Sequence, residues 1–353
     1  ILSASSILDY IFRELAISYL GREDLAHTPS IHKPTSDRTT SDEEEDTFLK
    51  LVKDITSKGF GRSNYKKKLV DLQKKGIIAF TDGLKTIQNT RLMSRIMKSA
   101  HDLNSLILQH AEDLELSKNG MINDGIISTK LGLQGIPDLA ELIIIERDLT
   151  LLESIKCRYH ISQISSKKSV EIVNERKQKV KFTCGVSINN LSLNENDIGD
   201  FRTFLKLSPP LRTEEDRMSL VDGLNNKTID VIVSDHKPED EEQKRLTFAQ
   251  AATGSSGIET LLSLSLELYH NGSVKLETII QALTSNPAKI LKINKGNLTI
   301  GADADFCIVD INKPWIVKKE KLISKSKNTS IENKKLQGKV TNTFVKGVEL
   351  FKL

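Results

Sequence analysis

Val231-Ile-Val-Ser-Asp-His-Lys-Pro-Glu239 is a run of β-branched residues that ends in an acid followed at once by a histidine. A buried parallel strand delivers an Asp to the open end of a barrel in this way. Two other apolar runs end alike: Ile77 to Phe80 leads to Asp82, and Leu106 to Gln109 leads to His110. Between such runs the apolar spacing turns helical, over Thr90 to Asp102, Pro137 to Ser154 and Ser166 to Gln178. Further strands are expected at Cys157 to Ile161, Val180 to Val186 and Ile229 to Val233. Strand–helix alternation predicts an α/β fold with a parallel sheet and crossover helices. Five strand–helix units can be counted, where a closed (β/α)8 TIM-type barrel needs eight. The expected architecture is therefore a partial barrel that lacks its first strands.

The flanks read differently. Ile7, Leu8, Ile11, Leu15, Tyr19 and Leu20 fall at helical spacing. The stretch from His27 to Asp46 is rich in Pro, Ser, Thr and acid, too poor in apolar surface to fold. A second short helix is expected from Thr47 to Ser57, stopped by Gly59 and Gly61. Beyond Leu291 the pattern becomes β, with a strand entering Asp310 and a hairpin around Lys346-Gly347. The expected organisation is a helical extension with linker at 1–66, a barrel portion at 67–290 and a small β-subdomain at 291–353.

Composition narrows the function. With 51 basic and 47 acidic residues among 353, the net charge of +4 predicts neither a nucleic-acid nor a membrane partner. No secretory signal opens the chain, and no apolar run approaches the ~18 residues of a membrane helix. Cys157, Cys184 and Cys307 lack metal-type spacing, and each is expected to be a buried, reduced thiol in the cytoplasm. His101, His270, His27 and His32 are expected to face solvent without partners.

Imidazole and carboxylate gathered at strand ends suit zinc or a similar divalent ion. Asp82, His110 and Asp235 are the candidate ligands, and an Asp beside metal-bound water can also shuttle its proton. Each has a plainer reading alone: a helix N-cap for a strand-end Asp, a turn for Asp82-Gly83, a structural histidine for His110. His160 and His236 are candidates for orienting the ligands through hydrogen bonds.

The motifs Ala79-Phe-Thr-Asp-Gly83, His110-Ala-Glu-Asp113, Tyr159-His-Ile-Ser-Gln-Ile-Ser165, Ser208-Pro-Pro-Leu-Arg212, Ser234-Asp-His-Lys-Pro238, Gly257-Ile-Glu-Thr260, Ser285-Asn-Pro-Ala-Lys289 and Gly301-Ala-Asp-Ala-Asp305 occur in this order. From about Leu69 onward the chain thereby resembles dihydroorotase of the amidohydrolase superfamily. The resemblance implies a metal-dependent barrel that interconverts carbamoyl-aspartate and dihydroorotate in pyrimidine synthesis. It implies metal-ligand positions at Asp82 and His110, and both ligand and general acid/base at Asp235. It also implies substrate contacts at Ser208, Arg212 and Gly254.

The departures matter as much. The family's His-x-His is absent, a ligand His is Gln163, a substrate Asn is Ser208, a second His is Glu239, and Pro-Phe-Gly has become Ala252-Thr-Gly254. A Gln amide is a poor zinc ligand beside an imidazole, and Glu239 would repel an anionic substrate. The family includes inactive members that serve as structural partners of aspartate carbamoyltransferase, and these substitutions fit that subgroup. The expectation is a catalytically impaired oligomer-forming partner protein. The alternatives are an active amidohydrolase completed by another chain, or a chimera. The last is motivated by Ala4-Ser-Ser-Ile-Leu-Asp-Tyr-Ile-Phe-Arg-Glu-Leu-Ala-Ile-Ser-Tyr-Leu20 and Asp24-Leu-Ala-His27, which resemble the C-terminal part of the cobalamin-dependent ribonucleotide reductase large chain.

Overall fold

The computed structural model describes residue 70 and residues 72–353. The expected helices before residue 58, the linker at 27–46, His27, His32 and the expected boundary at 66–67 lie outside the described residues. Ten strands follow in chain order: β1 (Ala79–Thr81), β2 (Leu106–Gln109), β3 (Ile122–Asn123), β4 (Gly135–Ile136), β5 (Arg158–Ile161), β6 (Thr183–Ser187), β7 (Val231–Val233), β8 (Phe306–Ile316), β9 (Lys335–Val345) and β10 (Val348–Lys352).

Five of them form one parallel sheet in the order β1-β2-β5-β6-β7. Sequential order with crossover helices is how a TIM-type barrel grows, so the sheet is a barrel arc. The crossovers begin where the sequence supplies caps. Asn89 accepts from the Leu92 amide at 2.9 Å and starts the helix Thr90–Asp102. Ser166 accepts from the Ser169 amide and starts Lys167–Lys177. Thr213 and Asp216 form a reciprocal capping box ahead of Glu214–Asn225.

Alternation along the strands sorts the side chains into two layers. On β5, the Tyr159 hydroxyl donates to Asp148 of the helix Leu139–Ile155 at 2.7 Å. That side is the helix layer, where Ile107, Ile144, Ile145, Leu149 and Ile161 join the main core. Leu106 and Leu108 pack instead with Ala79 and Leu291 in a second cluster. The next residue on that face of β2 is His110, so alternation aims it away from the helix layer.

The β8–β9–β10 sheet is antiparallel, and Lys346 and Gly347 at its hairpin both have positive φ, +50° and +78°. Two such residues in a row are what a two-residue turn matching the strand twist requires. Val317, Ile331 and Leu336 share the barrel's hydrophobic core, so the excursion between β8 and β9 packs with the arc. Cys157 and Cys184 are buried, with thiols pushed up by burial to about 11 and about 12. Cys307 corrects the expectation: it is exposed on β8, whose residues lie mostly at the surface.

Candidate functional site

The C-terminal ends of β2, β5, β6 and β7 bring together His110, Gln163, Ser187 and Asp235. Each is more than nine-tenths buried. Asp235 adopts a left-handed backbone, φ +48°, just past β7. A non-glycine residue held there is strained, and such strain gathers at functional sites. Gln163 Nε2 donates to Asp235 Oδ1 at 3.2 Å, and the Ser187 hydroxyl donates to Oδ2 at 3.3 Å. Burial pushes the Asp235 carboxyl above the usual range, and Gln163, the His110 charge, Ser187 and Asn189 pull part of the way back.

A second cluster forms around His110. Its Nε2–H donates to Glu112 Oε2 at 3.0 Å. The Ser208 hydroxyl lies 3.4 Å from both atoms. Burial alone would raise the Glu112 carboxyl, but bonds from His110, Ser117 and Ser208 hold it below the ordinary value. Ser208 thus sits where the resemblance placed a substrate contact, engaged with protein groups.

Other residues are placed differently from the expectation. Asp82 is exposed, and its carbonyl accepts from the Lys85 amide at 3.2 Å in a turn carried by Gly83, φ +65°. The turn reading therefore holds for Asp82. Among the described residues β1 is the outermost strand of the arc, so its end is exposed. The Arg212 guanidinium is buried and bonded to the Ser165 hydroxyl (2.7 Å), the Asn123 side chain (2.8 Å) and the Ile136 carbonyl (3.3 Å). Glu141 accepts from the Ser165 amide and from the Ser165 and Ser169 hydroxyls, which ties Arg212 into a structural network.

His160, fully enclosed on β5, bonds through Nδ1 to the Thr183 hydroxyl at 2.7 Å, and burial with the Lys177 charge depresses its pKa to about 3. It is a neutral interior imidazole with no bond to His110 or Asp235. His236 Nδ1 accepts from the Gly257 and Ile258 amides at 3.2 and 3.4 Å, which anchors the following loop. His101 and His270 are exposed as expected but not partnerless: they bond to the carbonyls of Lys156 and Ile311.

Gly254 has φ +140°, and a Cβ there would meet the Lys237 carbonyl oxygen at 2.6 Å. Its own carbonyl accepts from Asn328 at 3.2 Å, while Asn328 Oδ1 accepts from the Glu239 amide. Glu239 lies 3.6 Å from Lys237, which offsets the repulsion expected of its charge. Sequence reading missed Glu112, Asn189, Asn328 and Ser330. The last donates to Asn189 at 2.9 Å from the excursion after β8. Glu112 lay within a quoted motif two residues from His110, a usable signal. The other three follow no spacing rule.

Zinc does not fit these residues. Asp82 turns outward, the Nε2 of His110 faces Glu112, and both Asp235 oxygens accept from neutral donors. Among the described residues no three His, Cys, Asp or Glu side chains converge to hold a metal.

A parallel barrel arc with an imidazole and a strained carboxylate at its strand ends defines a class, and the amidohydrolase family model matches residues 40–350. The chain belongs to the amidohydrolase family. It is 44% identical over 278 residues to a dihydroorotase of Ehrlichia canis (strain Jake), covering 78% of this chain and 62% of that protein. It is 40% identical over 286 residues to a dihydroorotase of Anaplasma phagocytophilum (strain HZ), covering 80% and 64%. The chain thus spans less than two-thirds of these relatives. In fold it is similar to an L-hydantoinase (dihydropyrimidinase) from Arthrobacter aurescens, with TM-score 0.72, 22% identity, and 83% and 68% of the two chains covered. The match at 40–350 also takes in the second part of the segment expected to be a separate extension. Among the described residues no helix is long and apolar enough to cross a membrane.

Proposed function

We propose that the chain derives from a dihydroorotase of pyrimidine synthesis, that its retained site is catalytically impaired, and that it acts in the cytoplasm as a structural partner of aspartate carbamoyltransferase. Kinship to proteins named dihydroorotase supports the first part. The observation that carries the second is the Gln163 amide on Asp235. Family chemistry opens a cyclic amide and needs Asp235 to take a proton from attacking water and pass it to the leaving nitrogen. Here both carboxylate oxygens already accept from Gln163 and Ser187, and the His110 Nε2–H is spent on Glu112. Both groups that would handle the proton are thus engaged by protein partners.

The partner role is supported only by the substitutions at Gln163, Ser208 and Glu239, which resemble those of inactive family members. Its test is to mix the purified chain with aspartate carbamoyltransferase from the same source and follow elution by size. Co-elution in fixed ratio is expected; separate elution at micromolar concentration would overturn the partner role. One observation favours a second reading, an amidohydrolase completed by another chain. Asp235 keeps a strained backbone and a raised pKa, as a proton-shuttling carboxylate would. The ribonucleotide-reductase-like reading of the N-terminal segment is tested by one uninterrupted transcript read across the codons for Gly59 to Gly76.

A further inference from the structure

We propose that Gln163 and Glu112 keep this barrel mouth free of metal, each occupying the atom of Asp235 or His110 that a cation would need. The inference rests on reading this cluster as the amidohydrolase site, and not on the partner role.

An amide has one donor end and one acceptor end. Gln163 turns its donor end to Asp235, with Nε2 3.2 Å from Oδ1. Its carbonyl oxygen is then directed elsewhere, and it is buried without any partner. Leaving a buried acceptor unpaired is unfavourable. The reverse orientation would set oxygen against carboxylate oxygen, so Asp235 fixes the amide. Held by its N–H, the amide cannot also offer its oxygen to an ion on Asp235. Ser187 covers the other carboxylate oxygen. Two neutral donors thus do what a cation does elsewhere: they compensate a carboxylate that is 5% exposed.

His110 is closed off in the same manner. Its Nε2 lies 3.0 Å from Glu112 Oε2, so that nitrogen already faces a protein carboxylate and not an open position. Ser208 joins this pair at 3.4 Å and packs it further. The mouth therefore holds two internally bonded units, Asp235 with Gln163 and Ser187, and His110 with Glu112 and Ser208, with the Gln163 carbonyl oxygen left over. A histidine at 163 would present a lone pair to the same space.

The test uses the full chain, stripped with chelator and titrated with cobalt(II) by equilibrium dialysis and visible absorption. The wild-type chain is expected to show no saturable site that Asp235→Ala removes. Gln163→His is expected to gain a saturable cobalt site, at least about tenfold tighter than any residual wild-type uptake, which is lost when Asp235→Ala is added. Gln163→Glu supplies an anionic oxygen in nearly the same shape, and is expected to gain likewise if the histidine variant does not fold. About one equivalent in the wild type, abolished by Asp235→Ala, would overturn the proposal. So would folded variants at 163 that gain nothing. Metal in the wild type would leave a partner role standing, and failure to bind aspartate carbamoyltransferase would leave this inference standing.

Discussion

Two buried polar residues outside the His110 and Asp235 clusters set measurable terms. Arg212→Ala strips partners from Ser165 and Asn123 and unties Glu141. Breaking such a network costs about 2–4 kcal/mol, read as a fall in the urea midpoint at unchanged slope. A substrate contact would instead change ligand binding and leave stability near wild type. Lys244 is 1% exposed, its ammonium bonded to the Ala252 carbonyl at 2.8 Å, and burial depresses its pKa to about 7. The unfolded lysine titrates near 10.4. Between those values the unfolded chain holds a proton that the folded chain lacks, so stability rises with pH from about 7 to about 10. The gain is at most about 5 kcal/mol, and Lys244→Met is expected to flatten that part of the pH–stability curve. Asp235, His110 and Ser208 were legible because strand ends and a Pro-Pro turn fix their positions. Where the side chain of Arg212 points was not, since Ser208-Pro-Pro-Leu-Arg212 sets a location and not a direction. The buried acceptor of Gln163 has no sequence signature at all.

At the level of elements, the run Leu106–Gln109 and the helix Thr90–Asp102 appear with the predicted bounds. β1, β5, β6 and β7 start one to three residues later than their apolar runs, because hydrophobicity begins before pairing with a neighbour does. The two-residue strands β3 and β4 were not foreseen, being too short to show alternation. Nor was the path of 317–334, whose buried Ser324, Asn328, Thr329 and Ser330 look like loop residues and are held by tertiary bonds. Cap strength gives a prediction here. Asn89→Ala removes the acceptor for the Leu92 amide, and a loss of about 1 kcal/mol is expected in thermal or urea unfolding. Gly254→Ala faces both a disfavoured φ and a carbonyl 2.6 Å from the new Cβ. It is expected to displace the loop held by Asn328, seen as faster amide exchange around Gly254 and residue 328.

For the molecule as a whole, the sequence disclosed a barrel arc plus a β-rich end, and the family match agrees. It did not disclose that the excursion after β8 returns to pack with the arc, since apolar pattern reports faces but not their partners. Among the described residues β1 and β7 carry no further strand on their outer edges, and β8 and β10 expose Ile308, Val348, Leu350 and Phe351. Unpaired edges and apolar patches favour association. Light scattering on the purified chain is expected to give a mass above one chain that rises with concentration; a monodisperse monomer would speak against that. We propose that this amidohydrolase mouth, with Asp235 and His110 engaged by protein groups, does not open the cyclic amide. The most direct measurement is dihydroorotate ring opening by the purified chain with added zinc. No rate above the buffer blank is expected, with or without the metal. Zinc-dependent turnover abolished by Asp235→Asn would contradict it.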